Sequence, residues 1–159
     1  MDKLAAIITG IAVLLGIFHT TANAEGWVDY RDDAGCHLSY RGDIFHAGPP
    51  VSGQPLLFSG PNDETYFRLI GLENSERLSP GAIKQKYFGD AIPGDVTYER
   101  AKGAFLVLSG YREESIFYIR VETSQDSQTI CILEIIYPRS DKMDFDQMVT
   151  RMSYSFSVD

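Results

Sequence analysis

Hydrophobic and polar residues alternate along most of the chain beyond residue 35, and this period of two is typical of β-strands. Short polar spacers separate the later segments, and connections this short make neighbouring strands antiparallel. The sequence therefore predicts an antiparallel sheet of about six strands. The alternating segments are Cys36 to Tyr40, Leu56 to Ser59, Thr65 to Leu72, Val96 to Arg100 with Ala104 to Tyr111, Ser115 to Glu122, and Thr129 to Tyr137.

Two segments have helical signals instead. The first is predicted to begin after Ser79, which can cap a helix, with Pro80 at the first helical position, and to end near Gly89. The second is predicted over residues 145 to 156, where apolar residues recur at spacings of three and four. This apolar stripe predicts a C-terminal helix that packs on the sheet, and its members are Phe145, Met148, Val149, Met152 and Phe156.

The last predicted strand is apolar on both of its faces. An antiparallel strand with one wet face would alternate between apolar and polar residues. We therefore expect the C-terminal helix to cover one side of the sheet, and the middle helix or the long loops to cover the other. The predicted fold class is α+β, with the sheet between two layers. The two faces are Ile130, Ile132 and Ile136, and Cys131, Leu133, Ile135 and Tyr137.

Residues 1 to 24 are predicted to be a signal peptide rather than part of the fold. An apolar run from Leu4 to Phe18 follows a lysine, and small residues at Ala22 and Ala24 fit a signal peptidase site. We predict cleavage after Ala24. The run is short for a membrane span, which needs about 20 residues, and an uncleaved N-terminal anchor is the alternative.

Composition and charge limit the number of domains and the class of partner. The chain has 159 residues, of which 44% are hydrophobic, enough for one domain with a proper core. We assign residues 25 to 35 to a polar N-terminal extension and residues 36 to 159 to a single domain. The formal net charge of −8 disfavours binding to phosphate backbones, so we expect no nucleic-acid partner. We also expect no membrane span after cleavage, and a periplasmic or secreted location.

Export changes the interpretation of the two cysteines. Cys36 and Cys131 both remain after the predicted cleavage, and in an oxidising compartment two cysteines most simply form one disulfide. Each lies on an apolar side of its predicted strand. We therefore predict a Cys36–Cys131 disulfide, formed across the ladder if the first and last strands are neighbours.

Several stretches follow one another in an order that characterises a known architecture. They are "LSYRGDIF", a helix opened by "SP", the strands "FLVLSGYREESIFYIR" and "ICILEIIYPRS", and the helix "FDQMVTRMSYSF". Over residues 36 to 156 this order resembles the PsbP-like and DcrB-like α/β/α sandwich of small exported bacterial proteins. The resemblance implies that fold and an accessory or binding role rather than chemistry. The stretch "YRGD" departs from the pattern, since such proteins often have a proline after the tyrosine.

Candidate catalytic and metal-binding residues are few. Cys36 and His37 are adjacent on a predicted strand and point to opposite faces, so the histidine is badly placed to activate the thiol. His37 and His46 are the only histidines after cleavage and lack the spacing of a metal site, so we expect no metal and no cofactor. Ser109 lacks the G-x-S-x-G context of a serine hydrolase. The acidic stretch 29 to 35 is interpreted as a solvated turn.

Glu134 is the one charged residue that stands out as a functional candidate. It lies between Ile132 and Ile136 on a strand predicted to be buried, and a buried acid needs a partner. The structural explanation is a salt bridge, for instance with Arg120 on the neighbouring strand, or a sheet edge that reaches water. A catalytic acid in a cleft is the functional one.

The predicted sheet also carries many aromatic residues. Some of them must face outward or line a groove. A groove for a small apolar ligand or a peptide is the functional interpretation, and cross-strand packing is the commoner role of strand aromatics. These residues are Tyr66, Phe67, Tyr98, Tyr111, Phe117 and Tyr118.

Together these features predict an exported, non-catalytic accessory or binding module that acts on a protein or another component of the bacterial envelope. Two alternatives stay open: a small, hydrolase-like periplasmic enzyme that uses Glu134, and a structural envelope component. A deep pocket with converging polar groups would favour an enzyme or ligand binder. An exposed apolar patch would favour a protein partner.

Overall fold

A computed structural model describes residues 26–51, 54–89 and 94–159. The predicted signal peptide lies outside these residues. The strands are β1 (Trp27–Arg31), β2 (Cys36–Arg41), β3 (His46–Ala47), β4 (Leu56–Ser59), β5 (Tyr66–Glu73), β6 (Asp95–Lys102), β7 (Phe105–Arg112), β8 (Ser115–Thr123), β9 (Thr129–Pro138) and β10 (Ser157–Val158). The helices are α1 (Pro80–Ile83), which continues into a π-helical turn at Lys84–Phe88, and α2 (Lys142–Ser155), which follows a 3-10 turn at Arg139–Asp141.

Among the described residues the strands form two antiparallel sheets. Seven strands lie in the order β3-β4-β5-β9-β8-β7-β6, and a second sheet has the order β1-β2-β10. The fold class is α+β, as predicted, with more strands than the alternation indicated. β1 falls within residues 25 to 35, which we had assigned to an extension, and it pairs with β2 from Trp27 opposite Arg41 onward. Only the first residue of β1 is buried, so the strand has no apolar alternation to detect.

Both faces of the larger sheet are covered at β9, as the apolar pattern of that strand predicted. On one face, Leu133 and Ile135 belong to a core that includes the stripe of α2 and the buried side of the smaller sheet. On the other face, Ile130 and Ile132 pack in a second core with Ile83 of α1. The five apolar residues predicted for the C-terminal helix are all buried.

The disulfide between Cys36 and Cys131 is present, with a Cα–Cα distance of 5.7 Å. The two strands are not neighbours, because β2 and β9 belong to different sheets, so the disulfide does not lie across one ladder. The sulfurs meet because both side chains point into the shared core. Gly71 on β5 lies opposite Cys131, and a Cβ there would lie 3.2 Å from the Cys36 sulfur and 2.3 Å from Cβ of Ala34. The missing side chain therefore lets the smaller sheet approach closely.

Gly110 of β7 allows the backbone of β6, the last long strand of the larger sheet, to pack closely against β7. Gly110 on β7 faces Val96 of β6, and a Cβ at Gly110 would lie 1.9 Å from the Asp95 carbonyl oxygen. Backbone cannot move aside as a flexible side chain does, so Gly110→Ala must displace β6. We expect this change to lower the free energy of unfolding by about 1–3 kcal/mol, measured by urea denaturation.

The matched control for Gly110→Ala is Gly81→Ala. No atom lies within 4 Å of a Cβ at Gly81, which is in the first turn of α1. This control is expected to leave stability unchanged or raise it by up to about 1 kcal/mol, because alanine is the better helix former. Equal stability losses for the two variants would contradict the described β6–β7 pairing.

Candidate functional site

An open groove lies between α2 and the uncovered part of the larger sheet. α2 packs mainly on β2 and β9 and reaches β8 through Ser153, so the groove lies between the helix and the same face of β6 and β7. The groove has a volume of about 600 Å³. Its main side chains are Tyr98, Arg100 and Phe105 from β6 and β7, Tyr118 and Arg120 from β8, and Tyr154 from α2.

Strand register brings these side chains to one face. Tyr98 lies opposite Ser109, and Ser109 lies opposite Tyr118 on the next strand. Arg100 and Arg120 are likewise the two cross-strand neighbours of Val107. Because side chains alternate along a strand, the wall of the groove follows from this register.

The floor of the groove is a hydrogen-bonded network centred on Ser153 of α2. The hydroxyls of Tyr118 and Ser153 share a hydrogen bond of 2.6 Å, and Nη1 of Arg120 donates to the Ser153 hydroxyl at 3.0 Å. Nε of Arg120 donates to Glu122 at 2.8 Å, and its guanidinium lies 5.3 Å from the ring centroid of Phe105. Burial raises the pKa of Tyr118, so its hydroxyl stays protonated near neutral pH. The network fixes the floor before any ligand arrives.

The groove continues toward the start of α2. A smaller groove of about 200 Å³ shares Ser109, Tyr137 and Asp146 with the first. The Tyr137 hydroxyl donates to Oδ1 of Asp146 at 3.0 Å, and Lys142 forms an ion pair with the same carboxylate. Burial and the nearby Asp146 carboxylate raise the pKa of Tyr137, so the tyrosine remains a hydrogen-bond donor.

The mouth of the main groove carries two exposed tyrosines. Tyr98 on β6 is 50% exposed and Tyr154 on α2 is 82% exposed, and both line the groove. Large aromatic residues this exposed at the edge of a concave surface are typical of contact sites for other molecules.

Glu134 lies on the opposite face of the sheet from this groove. Its predicted ion pair with Arg120 is wrong, because Arg120 lies opposite Leu133 and points toward α2. Glu134 instead lies opposite Arg68 of β5, with 3.4 Å between Oε2 and Nη1. The Glu134 side chain is 17% exposed, and the ion pair gives it a structural partner. A catalytic role for Glu134 stays a prediction.

Local structure accounts for the Cys36–His37 pair and for part of the acidic stretch. Nε2 of His37 lies 2.8 Å from Oδ1 of Asp159, and the adjacent Cys36 is in the disulfide. Residues 26–51, 54–89 and 94–159 hold no group of three potential metal ligands. In the acidic stretch, Oδ1 of Asp32 accepts from the amide of Cys36 at 2.8 Å, so this carboxylate closes the β1–β2 turn.

In the "YRGD" stretch, the side chains of Arg41 and Asp43 form an ion pair with each other. Nε and Nη2 of Arg41 donate to the two carboxylate oxygens of Asp43 at 2.7 and 2.6 Å. Hydrogen bonding from Arg41 lowers the pKa of Asp43. Both charged ends of the triplet are therefore engaged within the protein.

Comparison with known proteins gives matches of structure only. No family model and no curated protein sequence matches the chain. The solution structure of cyanobacterial PsbP (CyanoP) from Synechocystis sp. PCC 6803 is similar with a TM-score of 0.65 and 13% identity, over 87% of this chain and 96% of that one. The chain has a PsbP-like fold.

Two other solved structures share the PsbP-like fold with this chain. The Saccharomyces cerevisiae Ran-binding protein Mog1p is similar with a TM-score of 0.58 and 8% identity, over 85% of this chain and 96% of Mog1p. A protein from Bacteroides thetaiotaomicron VPI-5482 is similar with a TM-score of 0.52 and 11% identity, over 85% of this chain and 49% of that one. The resemblance inferred from the order of elements is thus confirmed as a likeness of fold.

The sequence anticipated part of the groove in this PsbP-like domain. Tyr98 and Tyr118 line it, as expected for some of the sheet aromatics, whereas Phe67 and Phe117 are in the cores. Arg100, Ser153 and Tyr154 were not predicted. The exposure of Tyr154 could have been predicted, because it lies on α2 outside the apolar stripe. No such signal exists for Ser153, since its role depends on where α2 lies over the sheet.

Proposed function

We propose that this chain is an exported, non-catalytic binding module whose groove receives a protein partner of the bacterial envelope. The observation that carries the proposal is the pair of exposed tyrosines, Tyr98 and Tyr154, above a floor already held by hydrogen bonds. Tyrosine and arginine are enriched among the residues that contribute most to protein–protein binding. A floor that is ordered in advance reduces the entropy lost on binding.

Export is supported by two independent features. The N-terminal residues 1 to 24 have the composition of a signal peptide, and Cys36 and Cys131 form a disulfide of the kind that persists in oxidising compartments. In the described part of the chain, no helix combines the length and apolar character needed to cross a membrane. One protein with this fold, Mog1p, is a Ran-binding protein, so the fold accommodates a protein-binding role.

A change at Glu134 distinguishes the binding module from the enzyme alternative. Glu134 and the groove lie on opposite faces of the sheet, so a change at Glu134 should leave binding in the groove unaffected. The structural alternative predicts no groove-dependent partner at all.

The test is capture of envelope proteins by the full-length chain. We expect the double variant Tyr98→Ala/Tyr154→Ala to reduce the affinity for the captured protein at least about tenfold, because each change removes aromatic contact area at the mouth. The matched controls are Tyr87→Ala, which removes a 44% exposed tyrosine elsewhere, and Glu134→Gln. Affinities would be measured by isothermal titration calorimetry.

Two outcomes would overturn the proposal. Capture that survives the double variant at full affinity would place the partner elsewhere on the protein. Turnover of a substrate that Glu134→Gln abolishes, with thermal stability unchanged, would instead establish the enzyme alternative.

A further inference from the structure

Two basic side chains on the groove side of β6 have no partner within the described residues. Arg100 and Lys102 lie opposite Val107 and Phe105, and neither forms a hydrogen bond or an ion pair within residues 26–51, 54–89 and 94–159. On the other side of the same strand, Glu99 binds Lys84 at 2.7 Å. The chain has a net charge of −8, yet this side of β6 presents unpaired positive charge.

The same strand forms an edge of the larger sheet. β6 ends the strand order and all eight of its residues are exposed. One edge pairs with β7, and no described strand pairs with the other edge, whose backbone N–H and C=O groups are therefore open to an added strand within the described part of the chain. Four charged residues and the register shift between Val96 and Tyr98 are features that discourage unspecific edge-to-edge pairing.

We infer that the free edge of β6 and the adjoining groove receive an extended acidic segment of the protein partner. The segment adds a strand beside β6, and its alternate side chains face the groove side of the sheet. There a carboxylate pairs with Arg100, which lines the groove, while Lys102 adds positive charge beside it, and an apolar side chain contacts Tyr98. This inference rests on the proposed function and specifies the partner's chemistry: a linear segment with acidic and apolar residues at alternate positions.

The experiment uses a displayed library of random peptides, selected on the full-length chain. We expect enriched peptides with Asp or Glu two residues from an aromatic or aliphatic residue. Their affinity should fall about tenfold in Arg100→Gln and decrease with added salt, as charge-assisted contacts do. Arg112→Gln is the matched control, because Arg112 is an exposed arginine of β7 outside the main groove.

Synthetic versions of an enriched peptide test the added strand. An antiparallel or parallel neighbour uses every second backbone N–H of the peptide. N-methylation of one alternate set should therefore abolish binding, whereas methylation of the other set should preserve it. Equal loss from both sets, or from neither, would overturn strand addition.

The remaining outcomes separate this inference from the proposed function. Peptides that depend on Tyr98 and Tyr154 but bind Arg100→Gln with full affinity would refute the acidic segment and leave the groove as a binding site. Failure to enrich any peptide that depends on Tyr98 would count against both. A dimer of this chain that Arg100→Gln dissociates, measured by sedimentation, would identify a second copy as the occupant and overturn the inference.

Discussion

Removal of the disulfide is expected to lower the free energy of unfolding by about 3–5 kcal/mol. Cys36 and Cys131 are 95 residues apart, and closing a loop of this length restricts the unfolded chain strongly. The bond also joins two sheets that share no ladder, so its loss removes a covalent tie between layers. The measurement is urea denaturation of Cys36→Ala/Cys131→Ala against the wild-type chain, with a melting temperature expected to fall by roughly 10 °C or more.

Two further measurements make this prediction specific. Thiol titration of the denatured, unreduced wild-type chain should find almost no free thiol. Reduction of the wild-type chain should reproduce most of the stability loss of the double variant, since both remove the same constraint. A loss below about 1 kcal/mol in both experiments would show that core packing alone holds the smaller sheet in place.

Elements with a strong apolar period were predictable from the sequence almost to the residue. Predicted strand Thr65 to Leu72 is observed as Tyr66–Glu73, and Ser115 to Glu122 as Ser115–Thr123. Their alternation follows from a core on each face, and the stripe of α2 likewise marks its buried side. Apolar patterns that reflect burial are therefore sufficient to predict the central strands of the larger sheet, whereas its edge strand β3, with two exposed residues, has no such pattern.

The smaller sheet and the shape of the groove could not be predicted in this way. In the smaller sheet, β10 has two residues, too few for any period, and β1 has one buried residue. The groove exists because α2 lies over β9 and β2 and not over β6 and β7. The position of a helix across a sheet depends on packing between distant residues, which periodicity does not record.

The partner of Glu134 shows how register decides a contact. Both neighbours of β9 carry an arginine, Arg68 on β5 and Arg120 on β8. Arg68 lies directly opposite Glu134, whereas Arg120 lies opposite the adjacent Leu133 and therefore points to the other face. Because β8 directly precedes β9 in the chain, the sequence favoured Arg120 of β8 as the partner of Glu134. Arg120 is one residue out of register with Glu134, so its side chain points into the groove instead.

Truncation of Phe67 is expected to have an effect comparable to loss of the disulfide. Phe67 on β5 is fully buried, stacks on Phe58 with 4.2 Å between ring centroids, and meets Phe45 edge-on at 5.0 Å. It also lies 5.4 Å from the ring of Tyr40 on β2, so this aromatic cluster joins the two sheets. Phe67→Ala removes the central ring and leaves a cavity, which should lower the free energy of unfolding by about 3–5 kcal/mol.

The matched control is Phe105→Ala, which removes a ring of the same size from the half-buried wall of the groove. Its ring contacts solvent on the groove side, so we expect the free energy of unfolding to fall by only about 1 kcal/mol. The m-value in urea should be unchanged. A Phe67→Ala loss no greater than that of Phe105→Ala would contradict the cluster as the junction between the sheets. A large loss for Phe67→Ala together with a small loss for Phe105→Ala would mean that noncovalent packing, in addition to the disulfide, holds the smaller sheet against β5 and β9. The same packing would then hold in place α2, the helix that forms one wall of the groove.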